Sequence, residues 1–311
     1  VGETVGFKQI SHDEVDIGIW YPSSSPVNRD RLGPFDVAYA DEGTPLAGYF
    51  PVVVMSHGLM GRFRNHHLTA AALVRGGYVV VAPTHAHDQL VFDNEILKAM
   101  EHRIHDLDQA LSLLFDDPHL GEIVRSSPIN GVGYSLGSAT MLLAIGGVVD
   151  LDRLEAHCQA DGDKDVNFCS KVRAPWYVEL FGWLMPDDKA PRRFGPSNKA
   201  LDGTIALIAP MGQAIDFAAI GVNNGKIGIF AFEDDAEVPV AFHAEVLRKH
   251  LAPTASTYKE YANTHHYAFI APFPKWLTDK EDIPVAKDPP GFDRGAFLTQ
   301  INQDIVTFFT R

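Results

Sequence analysis

No apolar run in the 311 residues approaches the ~20 residues that a helix needs to cross a bilayer. Positive charge is scarce: 26 Lys and Arg stand against 40 Asp and Glu, and the acids are spread along the chain rather than gathered in a tail. Phosphate backbones and anionic membranes require a basic footprint, which a formal net charge of −14 does not supply. No internal repeat or low-complexity segment interrupts the chain. Cysteine is reduced to Cys158 and Cys169, and C-x10-C without a second pair is a poor zinc pattern. The pair suits a short-loop disulfide of an exported protein, or else two free thiols. The first residue is Val1 rather than Met. Together with the cysteines this gives the expectation of a periplasmic or secreted protein, with the cytoplasm as the alternative.

What is abundant is apolar residues, at 46%, enough for one large α/β domain or two smaller ones. VDIGIWYP (Val15–Pro22) alternates and stops at proline, as an early antiparallel strand does. FPVVVMSHG and GYVVVAP are continuous β-branched runs and read as strands buried on both faces. Helical spacing appears over 64–76 and again over about 99–115, where Leu107, Leu111 and Leu114 share a face. INGVGYS then reads as a strand and LGSATMLLAIGG as a small-residue helix closing at Gly146-Gly147. The pattern breaks between about 150 and 200. It resumes with strands at GTIALIAP, KIGIFAF and ASTYKEYA and with helices near 239–250 and 293–309. Such alternation predicts a mostly parallel central sheet with helices on both faces, and ligands bind such sheets at the carboxyl ends of the strands.

At one of those ends stands Gly133-Tyr134-Ser135-Leu136-Gly137, a G-x-S-x-G pattern between a buried strand and a helix. A sharp turn there exposes the serine hydroxyl, and glycines on either side let strand and helix approach. An ordinary serine N-cap is the competing reading. A nucleophilic serine needs a base, and the base an orienting carboxylate, in the chain order Ser, acid, His. Glu233-Asp234-Asp235-Ala236-Glu237 follows one later strand, and His265-His266 follows the next. Asp235, four residues before Pro239, is the preferred acid. Donors for an oxyanion are expected from the Leu59 amide, in the turn after SHG, and from the Leu136 amide at the start of the nucleophile helix.

The set YFPVVVMSHGLMG, GVGYSLGSAT, EDDAEVP, HYAFIAP and PPGFDRGAF resembles the α/β-hydrolase group around predicted dienelactone hydrolases and platelet-activating-factor acetylhydrolase-like esterases. The likeness runs over nearly the whole chain and implies a single α/β-hydrolase domain over 1–311. It implies Ser135 as nucleophile and His266 as base, because His266-Tyr267-Ala268-Phe269 matches the group's H-x-x-F, and it matches Leu59 and Leu136 to the oxyanion positions. Dienelactone hydrolase itself carries Cys where this chain has Ser. The acetylhydrolases place their acid one strand earlier, where this chain has Ile208, which returns the role to Asp235 with Asp216 as the fallback.

The implied activity is hydrolysis of carboxylic esters through an acyl-enzyme, a chemistry needing neither metal nor organic cofactor. The alternatives are a polyester- or phospholipid-directed hydrolase, or an inactive binding protein on the same fold. Residues 150–200 form an insertion between the nucleophile helix and the next strand. It is a candidate cap, with Trp176, Phe181 and Trp183 as candidate substrate contacts; the competing reading is a helical pair completing the core. Three further patterns are set aside. In His85-Ala86-His87-Asp88 the spacing fails for a metallo-β-lactamase motif, leaving a structural or pocket-lining role. His102 and His105, beside Arg103 and Asp106, read as a polar helix face. Ser256 and Lys259 fit S-x-x-K but lie in a strand.

Overall fold

The computed structural model describes residues 4–91, 96–172, 192–195, 201–216, 220, 225–251 and 255–310. Its strands are β1 (Thr4–His12), β2 (Val15–Ser23), β3 (Arg29–Leu32), β4 (Phe35–Asp41), β5 (Phe50–Ser56), β6 (Val79–Pro83), β7 (Val124–Tyr134), β8 (Val148–Asp150), β9 (Arg193–Phe194), β10 (Ile205–Ile208), β11 (Ile215–Asp216), β12 (Ile227–Phe232) and β13 (Ala255–Tyr261). The helices are α1 (His67–Arg75), α2 (Ile96–Phe115), α3 (Leu136–Ala144), α4 (Leu151–Asp161), α5 (Val166–Val172), α6 (Ala244–His250), α7 (Lys275–Thr278) and α8 (Arg294–Thr310).

A large sheet runs in the order β13-β12-β10-β7-β5-β6-β2-β1-β4-β3. From β13 to β6 every neighbouring pair is parallel. Described residues of β6, β10 and β12 are buried along their whole length. This is why these strands read as unbroken apolar runs: helices cover both sides of a parallel sheet, and neither face can be polar. Two groups of helices supply the cover, α1 against α8 and α2 against α3. Beyond β6 the sheet continues through antiparallel β2 and β1, with β4 and β3 at the edge. Alternation in the sequence marks β2 but not β1, β3 or β4. In β1 only the first half is buried, and its second half is mixed and exposed, so the period-2 signal is lost.

The segment after α3 is not structureless where it is described. β8 and β9 form a small separate sheet with β11, and α4 and α5 make a hairpin. Asp150 caps α4, its carboxylate accepting from the Arg153 amide. Cys158 of α4 and Cys169 of α5 are joined by a disulfide, with α-carbons 5.5 Å apart. Between the helices Asp165 is fully buried and accepts from His157 Nε2 at 2.7 Å and His243 Nε2 at 2.9 Å. The hairpin is thereby tied to the segment leading into α6. Trp176, Phe181 and Trp183 lie outside the described residues. Among the described residues no helix is long and apolar enough to cross a membrane.

A cross-link closing a loop of this length removes denatured-state entropy worth about 3 kcal/mol. A Cys158→Ala/Cys169→Ala double variant is expected to unfold at lower urea concentration by that order, and an unchanged midpoint would show that the staple contributes nothing to global stability.

Candidate active site

The carboxyl ends of β5, β7, β12 and β13 deliver the residues singled out from the sequence to one edge of the sheet. Ser135 follows β7 directly, at φ 53° and ψ −120°, in the left-handed half of φ space that non-glycine residues avoid. The flanking glycines are required by distance. A β-carbon on Gly133 would stand 2.3 Å from the Gly137 carbonyl oxygen, and one on Gly137 would stand 2.0 Å from the Ser56 carbonyl oxygen. Strand, turn and helix meet backbone to backbone. Ser135 does not cap α3 through its side chain, so its hydroxyl is left for another partner.

That partner is His266, whose Nε2 lies 3.0 Å from Ser135 Oγ. His266 Nδ1 lies 2.7 Å from Asp235 Oδ2, and Asp235 Oδ1 accepts from the Glu237 and Val238 amides, each at 2.9 Å. The carboxylate is therefore fully engaged, one oxygen by the imidazole and the other by the turn. Glu233 and Asp234 are exposed, whereas Asp235 is buried. His265 points elsewhere and bonds Asp288 at 2.9 Å. Asp216, the fallback acid, pairs with Arg193 within the small sheet, across β8. Lys259 of the S-x-x-K pattern pairs with Asp304.

The histidine is held from behind. Tyr134, the variable residue before Ser135, donates from its hydroxyl to the His266 carbonyl at 2.9 Å. Phe269 of the H-x-x-F pattern is buried, stacks on His66 at 4.8 Å and lies tilted against Tyr134 at 5.5 Å. Ser135, His266, Leu59 and Leu136 line one cavity of about 310 Å³. Its remaining wall is largely apolar, with Met211, Val238, Tyr267 and Ile270, and α5 adds Phe168 and Lys171. Lys171 donates to Glu237, also in the lining. No local pattern in the sequence marks these wall residues, because turns and a helix from distant parts of the chain contribute them one at a time. Among the described residues, neither the Leu59 nor the Leu136 amide has an acceptor within the protein.

The helix face read as polar is polar only in part. His105 is exposed, but Arg103 and Asp106 are 1% and 2% exposed. A signal for this existed: Arg103 stands four residues before Leu107, on the apolar stripe itself. Asp106 bonds His85 at 2.8 Å, and His85 Nε2 meets Ser56 Oγ at 2.9 Å. His87 stacks on His102. Among the described residues one trio has metal-ligand proximity, His157, Asp165 and Cys169, but Cys169 is committed to the disulfide. No protein-family model matches the chain, and no curated protein matches it.

Burial holds several histidines neutral. Desolvation lowers His57 and His67 to about 4 and His66 to about 3, and it takes His85 well below its ordinary value. Burial pushes Asp106 the other way, up to about 7, with Arg103 opposing. An unfolded chain takes up protons on these histidines below about pH 6.5, where the folded chain does not. Each histidine thus contributes stability above pH 6.5 that is lost as pH falls toward its folded value. Asp106 contributes in the opposite sense between about 7 and 3.8, and burial raises Asp108 in the same direction, two groups against the four histidines. The melting temperature is expected to fall by ~5 °C or more between pH 6.5 and 4.5; a flat profile would refute the neutral-histidine assignment. Gly137→Ala forces a β-carbon into the Ser56 carbonyl and is expected to cost about 3 kcal/mol by urea unfolding.

Proposed function

We propose that the protein is a serine esterase of the α/β-hydrolase fold, hydrolysing carboxylic esters through an acyl-enzyme. The observation that carries this reading is the single line of contacts from Ser135 Oγ to His266 Nε2 and from His266 Nδ1 to Asp235. The strained φ of Ser135 supports it, since strain of that kind is retained where surrounding structure holds a residue for use. The mostly parallel sheet, with the three residues at strand exits in the order Ser, acid, His, supports the fold assignment.

The chemistry follows from the contacts. Ser135 Oγ attacks the ester carbonyl while His266 Nε2 takes its proton; Asp235 holds the imidazole with its proton on Nδ1 and stabilises the imidazolium. The carbonyl oxygen becomes an oxyanion, for which the Leu59 and Leu136 amides are the candidate donors. His266 then protonates the departing alcohol, and water repeats the sequence on the acyl-enzyme to release acid and free serine. The cavity of about 310 Å³ lies at the small end of ligand pockets, which favours esters of short acyl or alcohol groups.

Turnover of p-nitrophenyl acetate and labelling by a fluorophosphonate test the reading. The wild type is expected to do both, and Ser135→Ala neither, with an unchanged melting curve. Asp235→Asn is expected to lower kcat by about 10⁴. A folded wild type inert to both reagents, or a Ser135→Ala variant that retains turnover, would exclude the proposal.

A further inference from the structure

Behind the Gly58–Met60 turn lies a buried ion pair that takes no part in the proton transfers above. Arg103 of α2 donates from Nε and Nη2 to the two oxygens of Asp88 at 2.8 and 2.9 Å. Its other bonds converge on the end of β5 and the turn that follows. Nη1 donates to the His57 carbonyl at 3.0 Å and to Ser56 Oγ at 3.2 Å, and Nη2 reaches the Gly58 carbonyl at 3.4 Å. Nη1 also donates to Thr140 Oγ1 at 3.2 Å, which ties the same guanidinium to α3. Asp88 in turn accepts from the Met60 amide at 2.8 Å and holds Met60 at φ 58°.

The peptide unit between Gly58 and Leu59 gives these bonds their meaning. A trans peptide is planar, and its C=O and N–H point in opposite directions. The Gly58 oxygen is held by three donors: His57 Nδ1 at 2.7 Å, the Gly61 amide at 3.0 Å and Arg103 Nη2. Fixing that oxygen fixes the Leu59 N–H on the opposite side, and Leu59 lines the cavity beside Ser135. Donors on the carbonyl also polarise the shared amide, making its N–H a stronger donor.

Stability alone is a poor account of the pair. Burying two charges carries a large desolvation cost, and well-packed apolar residues often serve stability as well or better. What an apolar replacement does not reproduce is the set of directed bonds to residues 56–60.

We propose that Arg103 and Asp88 are positioning residues that hold the Leu59 amide as an oxyanion donor, and so govern the rate of ester cleavage without touching the substrate. The inference rests on the esterase reading. Its test uses Arg103→Met, Arg103→Lys and Asp88→Asn alongside the wild type. For each, kcat and KM for p-nitrophenyl acetate are measured with the inhibition constant of a trifluoromethyl ketone, whose hemiketal oxyanion occupies the donor site.

Arg103→Met is expected to lower kcat by about 10²-fold with KM changed less than about threefold. Ketone affinity should fall in proportion to kcat/KM across the series, and Arg103→Lys should recover part of both. Asp88→Asn keeps the side-chain shape, and it carries the test if removal of the guanidinium prevents folding; it is expected to lower kcat and ketone affinity together. Folded variants with wild-type kcat overturn the inference while leaving the esterase reading standing. A fall in kcat with ketone affinity unchanged also overturns it, since the loss then does not pass through the oxyanion site. A wild type that cleaves no ester overturns both.

Discussion

The contact between the Gly137 α-carbon and the Ser56 carbonyl sets the geometry of the whole site. With a side chain excluded there, α3 lies directly on the end of β5. The turn after β5 and the turn after β7 become neighbours, bringing Leu59 and Ser135 to the lining of one cavity. Gly133 performs the reciprocal service against the Gly137 carbonyl. Ser135 is left at a positive φ that neighbouring backbone maintains, with its amide bonded to the Ile208 carbonyl at 3.0 Å. Strand order does the rest, since β12 and β13 on the same side of β7 return Asp235 and His266 to the same edge.

How much of this was legible in the sequence depends on how local the physical signal is. Parallel strands covered on both faces leave runs such as VVVMS and IGIFAF, and G-x-S-x-G records two backbone approaches that only glycine permits. Position 235 was separable from 233 and 234 only by a proline four residues on. In the structure the separation is one of burial and of two turn amides that donate to Asp235. The strands β1, β3 and β4 at the far end of the sheet carry no clear signal, because half-exposed strands have mixed patterns. Arg103 escaped for a different reason: its charge matched the exposed residues around it, while its position matched the leucines of the stripe.

The interior beside the site combines neutral and charged groups with a clear division of labour. His57, His66 and His85 are desolvated and serve as neutral hydrogen-bonding groups. Charge is concentrated where its bonds are directed, in Arg103 with Asp88, and in Asp165 between His157 and His243. The second of these, with the disulfide, anchors the hairpin from which Phe168 and Lys171 reach the cavity. The α4–α5 wall of the cavity and the Ser135–His266–Asp235 line are therefore fastened by separate devices.

Glu237 shows what that separation permits. Its amide holds the Asp235 carboxylate, while its side chain turns to the cavity and meets Lys171. The main chain of this one residue is committed to Asp235, but the side chain is not. Any amino acid other than proline can donate the same N–H. Leu59 and Leu136, the other amides at the centre, have the same property. A site assembled from backbone donors lets recognition be rewritten by exchanging side chains at the very positions that would support the proposed reaction, so selectivity can diverge in such a lineage without first dismantling its chemistry.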